Sequence, residues 1–373
     1  MNVRAAVLRK ARLPRPYEQS RPLEIVELEL EGPGPGEVLV RVGAAGLCHS
    51  DLSVIDGSRS RPLPMVLGHE AAGEVVETGP GVGSVRPGDH VVLAFVPSCG
   101  DCGPCRAGRP ALCEPGAAAN NAGELLSGSR RWREGEALLN HHLGVSAFAE
   151  HVVVSERSAV QVSDSLPFDV AALFGCAILT GAGAVLNAAN AGPQDTVIVF
   201  GLGGVGLAAL LGALVAGARE VIGVDLVAEK LAVAADLGAR TVAGDDPDLV
   251  ATLRELTSGG AEIVIETVGN EHVLAQAYAA TRRGGTTVAV GLPDPSRMLS
   301  ISALSLVAEE RILRGSYLGS SVPARDIPRL VTLYDEGRLP VDRLLTHRIG
   351  LDEVNLGFDR LADGAAIRQA IVF

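Results

Sequence analysis

The hydrophobic and polar positions of this chain follow two different patterns. In the first part, short apolar runs come directly after Pro-Gly pairs, as in GPGPGEVLVRVGAAG (32–46) and VRPGDHVVLAFV (85–96). Turn-forming Pro-Gly pairs followed by short apolar runs predict short antiparallel strands. From about residue 178, β-type runs at 196–200, 220–225, 262–267 and 286–290 alternate with helical patterns. That alternation predicts a parallel sheet covered by helices, and hence an α/β protein.

The length of the chain and its two hydrophobic patterns predict two domains. A chain of 373 residues is longer than one hydrophobic core usually serves. Beyond Pro323 the pattern becomes mixed again, so we expect residues 1–177 and 319–373 to form one β-rich domain around an inserted domain at 178–318. The polar, Gly-rich segment 115–139 is expected to be a long excursion that could cover a substrate.

One uncharged stretch, residues 196–218, is long enough to span a bilayer. It opens with the β-branched run TVIVF and continues through four glycines into an Ala/Leu segment. This order is typical of a buried strand, a tight turn and a helix, so we expect no membrane span here.

The formal net charge of -12 bears on the partners of the protein. It opposes nucleic acid and anionic membranes as partners, and it favours a small molecule or another protein. The first residues include no continuous apolar run before a small-residue cleavage site, so we expect a cytoplasmic protein without a secretory signal. In a reducing compartment, clustered cysteines bind metals more often than they form disulfides.

A glycine-rich motif follows the strand predicted at 196–200 and opens the next helix. It comprises Gly201, Leu202, Gly203, Gly204, Val205 and Gly206. The first glycine would allow a tight turn, Gly203 would let the backbone approach a pyrophosphate, and Gly206 would let the helix pack on the strand. The N-terminus of the helix would offer unpaired N–H groups to the phosphates. The motif in this context predicts a dinucleotide site.

Asp225 ends the next predicted strand and bears on the choice of cofactor. Its carboxylate would accept hydrogen bonds from the adenosine ribose and repel a 2′-phosphate. The following residue, Leu226, offers no positive charge to offset that repulsion. We therefore expect NAD in preference to NADP.

Four of the six cysteines form a cluster with the spacing C-x2-C-x2-C-x7-C, at Cys99, Cys102, Cys105 and Cys113. Four thiolates can surround one tetrahedral zinc ion and leave no coordination position for a substrate, so this site is expected to be structural. An iron–sulfur cluster and redox-active thiols are the alternatives.

The other two cysteines, Cys48 in GLCHSD and Cys176 in FGCAILTG, are far apart in sequence, and His69 lies between them. Two thiolates and one imidazole can hold zinc and leave a fourth position open. Isolated cysteines and histidines are also ordinary buried residues, and the spacing alone does not decide between these interpretations.

The motifs GLCHSD, GHEAAGEVVETG, the cysteine quartet, GCAILTG and FGLGGVG with VIGVD occur in an order that resembles the zinc-dependent medium-chain alcohol dehydrogenases. The resemblance covers nearly the whole chain. The excursion that ends in HHLGVSAFAEHVVV is similar to the branch containing liver-type enzymes and glutathione-dependent formaldehyde dehydrogenase.

This resemblance implies a GroES-like catalytic domain around a Rossmann domain. It also implies two zinc ions per chain, one catalytic and one structural, together with NAD. Homodimers or homotetramers would form through edge strands of the nucleotide domain, here at 311–319. The implied partner is a small alcohol or aldehyde.

The resemblance also implies roles for particular residues. Catalytic zinc would be bound by Cys48, His69 and Cys176, with Glu70 as an occasional ligand. Asp51 would accept the other ring N–H of His69.

Further implied contacts concern the cofactor and the substrate. His49 and Arg368 would hold the pyrophosphate, Lys230 the ribose, and Thr180 would contact the nicotinamide side. Positions that resemble substrate-contacting sites hold Phe95, Arg59 and His142. The last two could bind an anionic or thiol-adduct substrate, or could simply form a solvated rim.

The mechanism implied by the resemblance is hydride transfer from the alcohol carbon to the nicotinamide C4 after zinc has favoured loss of the alcohol proton. Ser50 would be the first proton acceptor or donor. Liver-type enzymes have a relay histidine three residues after that serine, but this chain has Ser53 there.

We expect primary alcohols, aromatic or medium-chain, as substrates. The alternatives are a formaldehyde dehydrogenase that acts on a thiol adduct, and a zinc-free quinone or enoyl reductase of the same fold. A zinc-ribbon nucleic-acid binder is opposed by the negative charge and by the glycine motif.

Overall fold

A computed structural model describes residues 1–373 of the chain. Its strands, in chain order, are β1 Asn2–Leu8, β2 Leu23–Leu30, β3 Glu37–Gly46, β4 Met65–Val66, β5 Ala71–Thr78, β6 His90–Leu93, β7 Trp132–Glu134, β8 Ala137–His141, β9 His151–Ser155, β10 Ala159–Gln161, β11 Thr196–Phe200, β12 Glu220–Asp225, β13 Arg240–Ala243, β14 Ala261–Glu266, β15 Thr281–Ala289, β16 Ile312–Gly315, β17 Leu345–Ile349 and β18 Arg368–Val372.

Most of the α-helices lie in the second half of the chain. They are α1 Tyr17–Ser20, α2 His49–Ile55, α3 Gly103–Arg106, α4 Glu114–Ala122, α5 Phe168–Ala171, α6 Ala177–Gly183, α7 Gly204–Val215, α8 Ala228–Asp236, α9 Leu249–Leu256, α10 Glu271–Ala280, α11 Ala303–Ala308, α12 Pro323–Asp335 and α13 Val354–Ala362.

Contacts within the chain divide it into two units. The first comprises Met1–Cys176, Val322–Thr332 and Val341–Phe373, and the second comprises Ala177–Ser321 and Leu333–Pro340. The second unit therefore includes residues 333–340, which the sequence prediction assigned to the first domain.

The first unit contains two β-structures. Strands β1, β2, β7, β8 and β4 close into a small barrel, and a larger sheet has the order β10-β6-β5-β3-β18-β17 with β9 also paired to β3. All neighbours in that larger sheet are antiparallel except β17 and β18. The runs predicted as strands at 32–46 and 85–96 form β3 and β6, respectively.

The expected excursion at 115–139 is incorporated into the barrel. It begins with α4, which has Pro115 in its first turn and ends at Gly123 in a left-handed conformation with φ 71°. It continues through β7 and β8, which pair with each other, and β7 also pairs with β2. Trp132 is completely buried. The interpretation as a covering loop was wrong because this apolar anchor and the ladder hydrogen bonds hold the segment in the barrel.

The second unit is a doubly wound parallel sheet with the order β13-β12-β11-β14-β15-β16. This order reverses at β11, as in dinucleotide-binding folds. The predicted run 196–200 is β11, whose five residues are all buried, as expected of a central strand covered on both faces. Core side chains include Ile198, Phe200, Ile222 and Leu253.

No single helix is long and apolar enough to cross a membrane. Two adjoining segments, Phe168–Gly175 and Ala177–Ala189, have the length and composition of a membrane span only when they are taken together.

Candidate active site

Three turns of the first unit present Cys48, His69 and Cys176. Cys48 lies between β3 and α2 and caps the N-terminus of that helix, His69 lies between β4 and β5, and Cys176 directly follows a short 3-10 helix. His69 follows Gly68, which has φ 88° and whose Cβ, if present, would meet the backbone nitrogen of Phe148. Only glycine fits there without strain, so the local backbone fixes the direction of the His69 side chain.

The structure brings these three side chains together. One ligand atom from each lies within 4.8 Å of the others, and all three residues are buried. Nδ1 of His69 is 3.0 Å from the Asp51 carboxylate, which also accepts the Gly68 N–H at 3.2 Å. Nε2 of His69 is buried without a hydrogen-bond partner. Two thiols and an imidazole nitrogen oriented by a carboxylate fit a zinc ion with an open position.

Neighbouring side chains in this cluster shift one another's pKa values. The neighbouring Cys176 side chain holds the pKa of the Cys48 thiol well below its ordinary value. Burial lowers the pKa of His69, but the adjacent Asp51 carboxylate outweighs burial and raises that pKa to about 10. Burial disfavours the charge on Asp51, yet its contact with His69 lowers the pKa of the carboxyl group. Since metal ligands must lose their protons, metal binding here releases protons.

Glu70 lies outside the three-residue cluster. Its carboxylate pairs with the guanidinium of Arg368, and the two residues are 0% and 4% exposed. A buried carboxylate is stable as an anion when a cation contacts it, and Arg368 supplies that contact. Glu70 is therefore held by Arg368 in the structure, at the beginning of β18.

Two of the three expected substrate-pocket residues contact His69. The ring of Phe95 lies 5.3 Å from that of His69 and meets it edge to face, and the ring of His142 lies at 5.7 Å. His142 is 1% exposed, and its Nε2 is 3.3 Å from Asp51. The solvated-rim interpretation of His142 was therefore wrong. Arg59 is half-buried, and its backbone N–H donates to the Ser53 carbonyl.

The cysteine quartet forms a second, separate cluster in the first unit. Ligand atoms of Cys99, Cys102, Cys105 and Cys113 lie within 4.8 Å of one another. Backbone N–H groups of Asp101 and Cys102 donate to the Cys99 sulfur and lower the pKa of that thiol to about 6. Burial raises the pKa of Cys105 to about 12. None of the six cysteines forms a disulfide. Four converging sulfurs fit a tetrahedral metal that is closed to substrate.

In the second unit, the glycine-rich turn joins β11 to α7. Gly201 has φ 85°, and a Cβ at Gly206 would overlap the Gly201 carbonyl. Both positions therefore require glycine. Asp225, at the end of β12, accepts the N–H of Leu202 at 2.6 Å and that of Val227 at 2.9 Å.

Comparisons with known proteins show to which family the chain belongs. The family model described as Alcohol dehydrogenase GroES-like domain matches residues 34–164, and that described as Zinc-binding dehydrogenase matches residues 204–336. The chain is 40% identical over 376 residues to an NDMA-dependent alcohol dehydrogenase of Amycolatopsis methanolica, covering 100% of this chain and 99% of that one. It is 35% identical over 385 residues to S-(hydroxymethyl)glutathione dehydrogenase of Paracoccus denitrificans, covering both completely.

The solved structures agree as well. The crystal structure of benzyl alcohol dehydrogenase from Acinetobacter calcoaceticus has a TM-score of 0.93 and 33% identity, covering 100% of this chain and 99% of that one. The chain belongs to the zinc-dependent medium-chain alcohol dehydrogenases. It is an oxidoreductase of the class that acts on CH–OH donors.

In this alcohol dehydrogenase, the serine expected to receive the substrate proton lies on α2. Ser50 is the second residue of that helix and is half-buried, and His49 before it is exposed. Ser53, at the position of the relay histidine, donates its hydroxyl proton to the His49 carbonyl at 2.8 Å. A serine hydroxyl is a far weaker base than the imidazole of a histidine, so we do not expect Ser53 to take over that role.

Two further expected cofactor contacts of the dehydrogenase lie in the second unit, whereas Arg368 lies in the first. Thr180 is half-buried on α6, and Lys230 lies in the first turn of α8, the helix that follows Asp225.

The sequence interpretation missed one polar residue of the dehydrogenase beside the glycine turn. Thr267 directly follows β14, and its hydroxyl lies 2.9 Å from the Gly201 carbonyl. The signal was available, because a threonine follows the β-type run EIVIE at the end of a strand next to β11.

Proposed function

We propose that this protein catalyses the reversible oxidation of primary alcohols, aromatic or medium-chain, to aldehydes, with NAD as hydride acceptor. The observation that carries the proposal is the buried cluster of Cys48, His69 and Cys176 with Asp51 on the outer ring nitrogen of His69. Those three residues would hold the catalytic zinc, and the cysteine quartet would hold a second zinc ion.

Each residue of the candidate site would have a distinct role in the reaction. Zinc held by Cys48, His69 and Cys176 would supply a Lewis acid, and NAD would supply the hydride acceptor. The Ser50 hydroxyl would accept the alcohol proton and donate its own proton onward to water or another base, since a hydroxyl can both accept and donate. Asp51 keeps the His69 ring in one orientation and tautomer.

The surroundings of His69 favour a neutral, apolar substrate. Phe95 presents its ring to this cluster, and burial lowers the pKa of His142, so that imidazole carries no charge at neutral pH. Of the two basic residues considered for an anionic substrate, His142 therefore offers no positive charge. An aromatic ring and a neutral imidazole beside His69 favour an aromatic or aliphatic alcohol over an anionic thiol adduct.

A screen of the zinc-loaded protein tests the proposal. NADH formation is measured with benzylic alcohols, medium-chain primary alcohols and the S-hydroxymethyl adduct of glutathione. We expect turnover of the first two classes, and the Cys48→Ser variant is the matched inactive control. Activity on the adduct alone would favour the formaldehyde dehydrogenase alternative, and no NAD-linked activity on any of them would contradict the proposal.

Asp225 supports the preference for NAD. Its carboxylate faces the N–H groups of Leu202 and Val227 and has further lone pairs for ribose hydroxyls, whereas the side chain of Leu226 is 72% exposed and uncharged. Replacing Asp225 by Gly and Leu226 by Arg should raise the NADP-to-NAD ratio of kcat/KM. If the ratio stayed unchanged, the role assigned to Asp225 would be wrong.

We also infer that the protein is a cytoplasmic homodimer or homotetramer. Strand β16 lies at the edge of its sheet, and Ile312 on it is exposed, as are Leu304 and Val307 of α11. An apolar sheet edge favours pairing with a second copy. Sedimentation should show an oligomer that Ile312→Glu weakens, and a wild-type monomer would contradict this assignment.

A further inference from the structure

One peptide group of the glycine-rich turn is held at both ends by side chains from the neighbouring strands. The N–H of Leu202 donates to Asp225 Oδ2 at 2.6 Å. The carbonyl of Gly201, which belongs to the same peptide group, lies 2.9 Å from Thr267 Oγ1. Asp225 ends β12 and Thr267 follows β14, and these strands flank β11 on opposite sides.

Thr267 is itself fixed to the end of β11. Its backbone N–H donates to the Phe200 carbonyl at 2.9 Å, and its Oγ1 lies 3.0 Å from the same oxygen. The hydroxyl proton can therefore be donated to the Phe200 or the Gly201 carbonyl, which are adjacent in the chain. The position of Oγ1 does not depend on a flexible loop.

The same hydroxyl also lies against both essential glycines. It is 3.0 Å from the position that a Cβ would take at Gly201, and 3.0 Å from that position at Gly206. The Thr267 hydroxyl is therefore packed directly against both glycines of the turn. A change in the orientation of the Gly201–Leu202 peptide would be transmitted to Gly203 and the N–H groups that open α7.

We propose that Thr267 is a positioning residue for dinucleotide binding, which acts with Asp225 to hold the Gly201–Leu202 peptide in the orientation that receives the pyrophosphate. This inference rests on the proposed function, because the ligand is the NAD cofactor named there. Without the hydroxyl, the Gly201 carbonyl loses a donor and the peptide can rotate. The turn is then competent for only part of the time, and the apparent Kd rises in inverse proportion to the competent fraction.

A merely structural hydroxyl would affect stability and leave cofactor affinity unchanged. The same sheet offers a matched control, since Oγ1 of Thr287 on β15 lies 2.7 Å from Oγ1 of Thr281 and both residues are completely buried. Thr287→Val removes a hydroxyl–hydroxyl bond of this sheet without touching the glycine turn.

The experiment compares wild type, Thr267→Val, Thr267→Ser and Thr287→Val as full-length, zinc-loaded proteins. Calorimetric titration gives the Kd for NAD, NADP and ADP-ribose, and thermal unfolding gives Tm. We expect Thr267→Val to raise the Kd of NAD and ADP-ribose about three- to tenfold, the range for one lost hydrogen bond. Thr267→Ser should restore affinity to within about twofold, and Thr287→Val should lower Tm with little change in Kd.

The inference is overturned if Thr267→Val binds NAD like wild type, or if Thr287→Val weakens NAD as much as Thr267→Val does. Wild-type protein that bound neither NAD nor NADP would overturn this inference and the proposed function together. Wild-type protein that preferred NADP would overturn only the NAD assignment, because the pyrophosphate is common to both cofactors. The Thr267 comparison would then be decided on the NADP Kd.

Discussion

His141 makes the stability of the first unit dependent on pH. This residue ends β8, is completely buried, and accepts the backbone N–H of Arg131 at its Nε2 atom. Burial, helped by the charges of Arg130 and Arg131, lowers its pKa from 6.5 to about 3. The imidazole is therefore neutral in the folded protein at every pH where the enzyme is expected to work.

The sign of the effect follows from proton binding. Between pH 3 and 6.5 the unfolded chain takes up a proton at His141 that the folded chain does not, so the free energy of unfolding falls as the pH drops. Above that window neither state is protonated and the contribution is constant. Moving from neutral pH to about pH 5 should cost about 2 kcal/mol through this residue alone.

The assay is urea unfolding followed by the fluorescence of Trp132, the only tryptophan, whose ring lies 6.4 Å from that of His141. His141→Gln keeps an acceptor for the Arg131 N–H and removes the titration. The difference in unfolding free energy between wild type and His141→Gln should change by about 2 kcal/mol between neutral pH and about pH 5.

The control is His272→Gln, because the His272 side chain is 86% exposed and folding does not desolvate it. It should leave the pH dependence of wild type in place. A difference between wild type and His141→Gln that stayed constant within about 0.5 kcal/mol would refute the reasoning, since that is smaller than the shift of a single pKa unit.

The remaining predictions concern the two metal clusters and the proton path. Cys102→Ser should lose one of two zinc ions by metal analysis and lower Tm, whereas Cys48→Ser should lose activity and keep its circular dichroism; a stable Cys102→Ser with two zinc ions would contradict the structural assignment. Asp51→Asn should weaken binding of the catalytic zinc about 10- to 100-fold in chelator competition, because the ring of His69 loses its negatively charged acceptor; unchanged zinc retention would be evidence against that contact. Ser53→Ala should keep kcat within about twofold, since its hydroxyl proton is given to a backbone carbonyl, whereas Ser50→Ala should lower kcat about 100-fold or more; equal losses would show that Ser53 takes part in the relay.

Features that depend on short-range sequence patterns could be predicted from the amino-acid sequence. The β-branched run at 196–200, the glycines after it and Asp225 at the end of the next strand predicted β11, the turn, α7 and β12 within a residue or two. Each of these signals lies within a few residues of the structure that it specifies, because strand period, turn geometry and helix start are local properties of the backbone. The cysteine quartet is likewise a local signal, since a short loop brings its thiols close together.

Contacts between residues that are distant in the sequence became known from the folded chain. Spacing left the association of Cys48, His69 and Cys176 open, and the packing of three separate turns brings their ligand atoms within 4.8 Å. The same packing turns His142 inward toward Asp51 and places β7 and β8 in the barrel. Side-chain direction and strand neighbours depend on the whole chain at once, so no local pattern carries them.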